Sequence, residues 1–236
     1  MARAGIKNQI LQRLSAADFE AIEPFLIPLA LRVRQVLIKP GVPITHVYFM
    51  ETAVCQVTAS IRHSKPMEVG LIGREGVTDH ILELGDSSIL GCTVQVAGDA
   101  FAIEASDYIA WVTERPQVLW LMFRYQQAMA VQFSFAAISH GSFSIEERVA
   151  RCLLMNFDRN NEGDLRFAHD VIARGLAVRR AGVTSAIHVL EGHGAIRGTR
   201  GNIHLRDRAT LQELAAGSYG IPEIEYLRLM GPLTVQ

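Results

Sequence analysis

The spacing of apolar residues changes character near Pro116, and that change limits the folds open to this chain. Within residues 29–113 the pattern is period two, in short punctuated runs. Leu29, Leu31 and Val33 alternate with Ala30, Arg32 and Arg34. Further runs cover 44–50, 53–61, 67–72, 91–97 and 101–105. Side chains alternate across a strand, so this pattern reads as half-buried strands. The Lys39-Pro40-Gly41 corner ends the first strand, and Gly98-Asp99 separates the last two as a turn would. Short strands at this spacing predict an all-β sandwich or barrel.

After Pro116 the period becomes helical. Val118, Met122, Tyr125, Met129, Phe133 and Ala136 recur at steps of three and four, with Leu119, Leu121 and Phe123 as a second apolar flank. Such a helix needs more than one neighbour to cover it. The expectation is that one side lies on the β domain and another on a partner chain, through Met122, Tyr125, Met129 and Phe133. A core helix inside a monomer is the alternative. Gly141 and Ser142 break the run, and a new helix begins near Ser144 with Glu146 and Glu147 in its first turn. Before the strands, Ser15 followed by Asp18 reads as a helix start.

Residues 168–191 read as a short helix, a tight turn and a second helix that opens on Arg179 and Arg180. Ile172, Leu176, Val183, Ile187 and Leu190 have the spacing to pack the two helices together. Two further runs, 195–197 and 203–205, are joined by Gly198-Thr199-Arg200-Gly201-Asn202 as a hairpin would be. Together these predict a winged helix-turn-helix. The tail from Tyr219 contains Pro222, Gly231 and Pro232 and is expected to be loosely held.

Charge supports that reading. The whole chain carries a net charge of −1, but residues 166–208 hold eight arginines against three acids, a net +5. A basic segment within an acidic protein is the footprint of a DNA-binding module; a solvated arginine-rich face gives the same signal.

With these pieces in place the chain resembles the Crp/Fnr family of bacterial transcription regulators over roughly residues 10–212. The segments that carry the resemblance are LIKPGVPITHVYFMETAVCQV (37–57), GLIGREGV (70–77), SIEERVARCLLMNFDR (144–159) and the helix-turn-helix with its wing. The resemblance implies an α+β fold. Its parts are a cyclic-nucleotide-binding-type β-roll, or double-stranded β-helix (1–115), a long dimerisation helix (116–140), a winged helix-turn-helix (141–212) and a tail (213–236). It implies a homodimeric regulator that binds double-stranded DNA at a palindromic site and has RNA polymerase as a candidate partner.

The same resemblance proposes DNA-contacting residues: Arg179, Arg180, Thr184, Ser185, His188, Arg197 and Arg200. Arg180 matches the first base-reading arginine of well-studied members, whereas Ala181 and Ser185 stand where those members have Glu and a second Arg. Arg179, Arg197 and Arg200 are then expected on phosphates. Ala177 replaces the turn glycine common in the family. Gly182 weakens the second helix by roughly 1 kcal/mol against Ala.

The effector pocket implied by the resemblance comprises Gly73, Arg74, Glu75, Gly76, Cys92 and Thr93. Members that bind cyclic AMP hold its phosphate with a downstream Arg-Ser or Arg-Thr. Here that stretch reads Leu90-Gly91-Cys92-Thr93. Tight cyclic AMP binding is therefore not expected, and the effector is left unknown. No cofactor or metal site is expected. The first cysteine is Cys55, so the N-terminal cluster of an iron–sulfur sensor is missing, and the eight histidines are scattered. Cys92 reads as a small apolar strand residue or a redox thiol.

An enzyme is not expected, because the His-x-His pattern of a cupin is absent: His46 is followed by Val47 and Tyr48. A ligand-binding module whose helix-turn-helix contacts only proteins is the other alternative. The first residues lack the apolar core of a secretory signal, and no run of about 18 apolar residues appears, so a cytoplasmic protein without membrane contact is expected.

Overall fold

The computed structural model describes residues 5–61, 64–78, 87–160, 164–199 and 201–231. They divide into two compact units, one from Met1–Val57, Ile72–Ala130 and Glu225–Gln236, the other from Thr58–Leu71 and Val131–Ile224. The predicted mixture holds: a β-rich N-terminal part, a long helix and a C-terminal helix-turn-helix.

The first unit opens with two short helices, α1 (Gln9–Arg13) and α2 (Ala16–Ile22). Asn8 caps α1, its side-chain oxygen accepting from the amides of Ile10 and Leu11. Ser15 caps α2 as its sequence predicts. The strands are β1 (Ile27–Leu31), β2 (Val36–Ile38), β3 (His46–Met50), β4 (Val54–Ala59), β5 (Met67–Ile72), β6 (Gly91–Val96) and β7 (Gly98–Glu104). One antiparallel sheet runs β1-β7-β3, with Phe49 opposite Phe101; another has the order β2-β6-β4-β5. Helix α3 (Ala105–Thr113) follows, and its Tyr108 packs edge-on to Phe49 at 6.0 Å.

Two strand boundaries differ from the sequence reading. β1 ends at Leu31, and Val33 is exposed. Arg34 takes a left-handed φ of 71°, which turns the chain before β2, so the Lys39-Pro40-Gly41 corner closes β2 rather than β1. Gly98 and Asp99 are not a turn but the first residues of β7. A Cβ on Gly98 would lie 2.5 Å from the Ala53 nitrogen and 2.6 Å from the Thr52 carbonyl carbon. Glycine stands there because another backbone comes too close for a side chain.

Helix α4 (Pro116–Ser142) is 27 residues long and runs through Gly141 and Ser142, which do not break it. The stop comes at Phe143, because Ser144 caps the next helix, α5 (Ile145–Arg159), in a full capping box with Glu147.

In the second unit α5 is followed by β8 (Asp164–Leu165), α6 (His169–Gly175), α7 (Arg180–Gly192), β9 (Ile196–Thr199) and β10 (Asn202–Leu205). The sheet order is β8-β10-β9, and the β9–β10 hairpin is the predicted wing. Ile172, Leu176, Val183, Ile187 and Leu190 are all buried, as their spacing predicts. A Cβ on Gly182 would sit 3.2 Å from the Ile145 side chain, so this glycine lets α7 lie close to α5.

The region after the wing corrects the expectation of a loose tail. Helix α8 (Arg208–Leu214) is capped by Asp207, and α9 (Ile221–Met230) follows. Within the first unit, Arg13 donates to the carbonyls of Met230 (3.2 Å) and Gly231 (2.9 Å), and Tyr226 donates to the Glu75 carbonyl (2.6 Å).

Candidate nucleic-acid interface

Helix α7 buries one face and presents the other. Val183, Ala186, Ile187 and Leu190 are buried, while Arg180, Ala181, Ser185 and His188 are exposed. Arg179 is the residue before the helix, in extended conformation, and Arg180 is its first residue. Both guanidiniums therefore project near a helix N-terminus, the end that favours anions.

The turn before α7 is held by backbone bonds from Leu176 to the Ile172 carbonyl and from Val178 to the Ala173 carbonyl. Ala177 adopts a left-handed φ of 54° there, a conformation that glycine takes without penalty. Arg148 on α5 donates to the Leu176 carbonyl at 2.5 Å. Its Nη2 also lies 2.8 Å from His140 Nδ1, and His140 Nε2 lies 2.8 Å from the Glu68 carbonyl. A guanidinium can only donate, so His140 is the neutral tautomer with its proton on Nε2. Burial, then the charges of Arg148 and Arg151, hold its pKa below the ordinary histidine value.

The sequence-predicted residues are brought together in part. Arg179, Arg180, Ser185 and His188 share the α7 surface, and Arg197 is exposed on β9. Thr184 is half-buried, its hydroxyl engaged by Arg180 and His169. Arg200 lies outside the described residues. Within the basic window, Arg174 pairs with Asp170 at 2.9 Å, and Arg208 pairs with Asp158 and the Tyr219 hydroxyl. Among the described arginines of this window, Arg166, Arg179, Arg180, Arg197 and Arg206 are exposed and make the surface positive.

Two residues of this face escape a sequence reading. Glu191, in the last turn of α7, accepts the Gly198 amide at 2.6 Å and also contacts His188 Nδ1 at 3.2 Å. His169, first in α6, reaches Thr184 on α7 at 3.0 Å. Burial and the nearby Arg180 and His188 lower its pKa. Neither residue stands out by spacing, because each acts on a partner in another element.

The sequence of residues 147–214 matches the family described as the Crp-like helix-turn-helix domain. This segment is similar to a Crp-like helix-turn-helix domain. Comparison with curated protein sequences finds no match. Solved structures align with most of the chain beyond the Crp-like domain. A Eubacterium rectale protein assigned to the crp/fnr family of transcriptional regulators is 15% identical, with a TM-score of 0.65 over 86% of this chain and 96% of that one. FixK2 from Bradyrhizobium japonicum is 21% identical, with a TM-score of 0.63 over 80% and 96%. The regulator CLP of Xanthomonas campestris, described as c-di-GMP responsive, is 14% identical, with a TM-score of 0.63 over 81% and 99%. At this identity the likeness shows the fold alone, and that fold is Crp/Fnr-like.

The residues expected in the effector pocket are largely committed to the protein itself. Gly76 donates to the Gly73 carbonyl, and the Gly73 amide donates to Glu75 at 3.1 Å. The Arg74 carbonyl accepts from Gln9, and the Gly76 carbonyl from Asn8. Cys92 is fully buried opposite Ile38 on β2, and Thr93 pairs with Val36. The Cys55 thiol contacts Met50 Sδ at 3.6 Å and Cys92, and burial raises its pKa well above the ordinary thiol range. An open cavity of about 450 Å³ in the first unit is lined instead by Lys7, Glu51, Thr52, Asp99 and Phe101 among others.

The expected dimer residues need correction. Met122, Tyr125 and Met129 are buried within their own chain. Tyr125 exchanges hydrogen bonds with both backbone groups of Val77. Phe133 lies against Gly70, where a Cβ would come 2.6 Å from its ring. The exposed face of α4 is a different stripe: Trp120, Phe123, Gln127, Ala130, Ser134, Ala137 and Gly141. Trp120 is 63% and Phe123 54% exposed, and their rings meet edge-on at 5.8 Å.

Proposed function

We propose that this protein is a transcription regulator that binds a specific double-stranded DNA sequence as a homodimer. The observation that carries the reading is Arg180, exposed at the start of a helix whose opposite face is the core of a Crp-like domain. A helix of this kind enters the major groove by its N-terminal residues. Arg180 reads a guanine there, and Arg179, Arg197 and Arg200 hold phosphates.

The exposed stripe on α4 supports the dimer. Its positions follow one another at strict steps of three and four, the spacing of a coiled-coil seam. The seam is bulky at Trp120 and Phe123 and small at Ala137 and Gly141. Two such domains related by a two-fold axis read half-sites about 34 Å apart.

The effector is not cyclic AMP in this proposal. The stretch that would carry the phosphate's arginine reads Leu90-Gly91-Cys92-Thr93, Cys92 is fully buried, and the Gly73 and Gly76 amides are already bonded within the protein. The protein acts in the cytoplasm, with RNA polymerase as a candidate partner, and not as an enzyme.

Genome-wide mapping of bound DNA, followed by anisotropy titration of the enriched sequence, tests the reading. A palindromic motif bound at nanomolar concentration is expected. Binding no tighter than to random duplex would leave the helix-turn-helix as a protein-contact module. Calorimetry with cyclic AMP at micromolar affinity would overturn the effector statement.

A further inference from the structure

On the α7 surface, one side chain is held by a residue outside the helix. Thr184 Oγ1 donates to the Arg180 carbonyl at 3.1 Å, the bond that a helical threonine makes to the preceding turn. A threonine hydroxyl has one proton. His169 Nδ1, 3.0 Å from the same oxygen, therefore donates to it. The hydroxyl gives its proton to one partner and accepts from another, both within the protein. Its proton is spent and one of its two lone pairs is taken, so the methyl group is the larger part of Thr184 left to meet a ligand.

We propose that His169 is a specificity-determining positioning residue: by fixing the Thr184 hydroxyl it makes α7 present a methyl, which favours a thymine at the facing base pair. The inference rests on the DNA-binding reading above. The chemistry is that of apolar contact with the thymine 5-methyl group in the major groove. An uncommitted hydroxyl could instead accept from the amino group of adenine or cytosine, or donate to guanine, and would tolerate several bases. The titratable groups about His169 are Arg180, His188 and Glu191, all on α7, so the imidazole sits beside the face proposed to meet DNA.

The test is binding-site selection from a randomised duplex library. It compares the full-length protein with Thr184→Val, Thr184→Ser, His169→Ala, His169→Asn and the double variant His169→Ala/Thr184→Val, each checked for folding by thermal melt. The wild type should favour thymine at one position per half-site by about three- to fivefold, the order expected for burying one methyl. Thr184→Val should keep that preference, and Thr184→Ser should lose it. His169→Ala should flatten that position alone. His169→Asn, whose amide can donate in place of Nδ1, should restore it. The double variant should also keep it, because valine has no hydroxyl to hold; a general structural role for His169 would not be rescued in this way. An unchanged preference in His169→Ala, or loss in Thr184→Val, overturns the inference while leaving the DNA-binding reading intact. If the wild type enriches no sequence, the DNA-binding reading falls and this inference falls with it.

Discussion

Glu191 and Gly198 join α7 to the β9–β10 hairpin: the carboxylate on α7 accepts the amide on β9 at 2.6 Å. Arg197 is the neighbour of that amide, so the bond places the wing cation relative to Arg180. Replacing Glu191 with Ala should cost about 1 kcal/mol of stability, since one bond to a partly exposed charged acceptor is lost. It should weaken binding to all DNA sequences alike. Glu191→Gln keeps an acceptor oxygen and should do less. Urea unfolding and anisotropy titrations measure both effects.

Arg180 and Arg197 should separate by role. Arg180→Ala should lose about 1–3 kcal/mol of discrimination at one guanine. Arg197→Ala should weaken every sequence and reduce the salt slope by about one. Titrations of cognate and mutated sites across a salt series distinguish the two; identical behaviour would remove the assignment.

If α4 forms the proposed dimer contact, Trp120→Glu or Phe123→Glu should yield a folded monomer by sedimentation, because a charge is placed on its exposed stripe. Met129→Ala should leave the oligomeric state unchanged and lower unfolding stability by about 2–5 kcal/mol, because that side chain fills its own chain's core.

Gly98→Ala should destabilise the first unit by about 1–3 kcal/mol, because the new Cβ meets the Thr52–Ala53 backbone and a backbone cannot step aside as a side-chain tip can. The urea midpoint should fall with an unchanged slope.

His140 should give the second unit a pH dependence. Its folded pKa is lowered, so the folded state favours the neutral ring. Its contribution is complete above the ordinary histidine value and is lost as pH falls through the lowered folded pKa. Acidification also removes the acceptor that Arg148 uses. His140→Gln, which keeps a donor for the Glu68 carbonyl, should flatten this part of the profile in melts between pH 5 and 8.

Much of the architecture was legible because periodicity and capping are local. The change from period two to steps of three and four located the β-rich part and the long helix. Ser144 with Glu147 marked a helix start, and Ile172, Leu176, Val183, Ile187 and Leu190 marked the helix-turn-helix core. The sequence alone also determined that a helix begins at the Arg179-Arg180 pair in a basic segment. What it left open depended on contacts between residues far apart in the chain. Helix α4 is apolar on several sides, and only packing decided that Met122, Tyr125 and Met129 turn inward while Trp120 and Phe123 face out. Gly98 looks like a turn residue until the Thr52–Ala53 backbone arrives beside it. His169 and Thr184 are 15 positions apart, and their bond exists only because α6 and α7 cross there. A sequence pattern records which side chains prefer burial; which partner buries or binds each one is a property of three-dimensional distance.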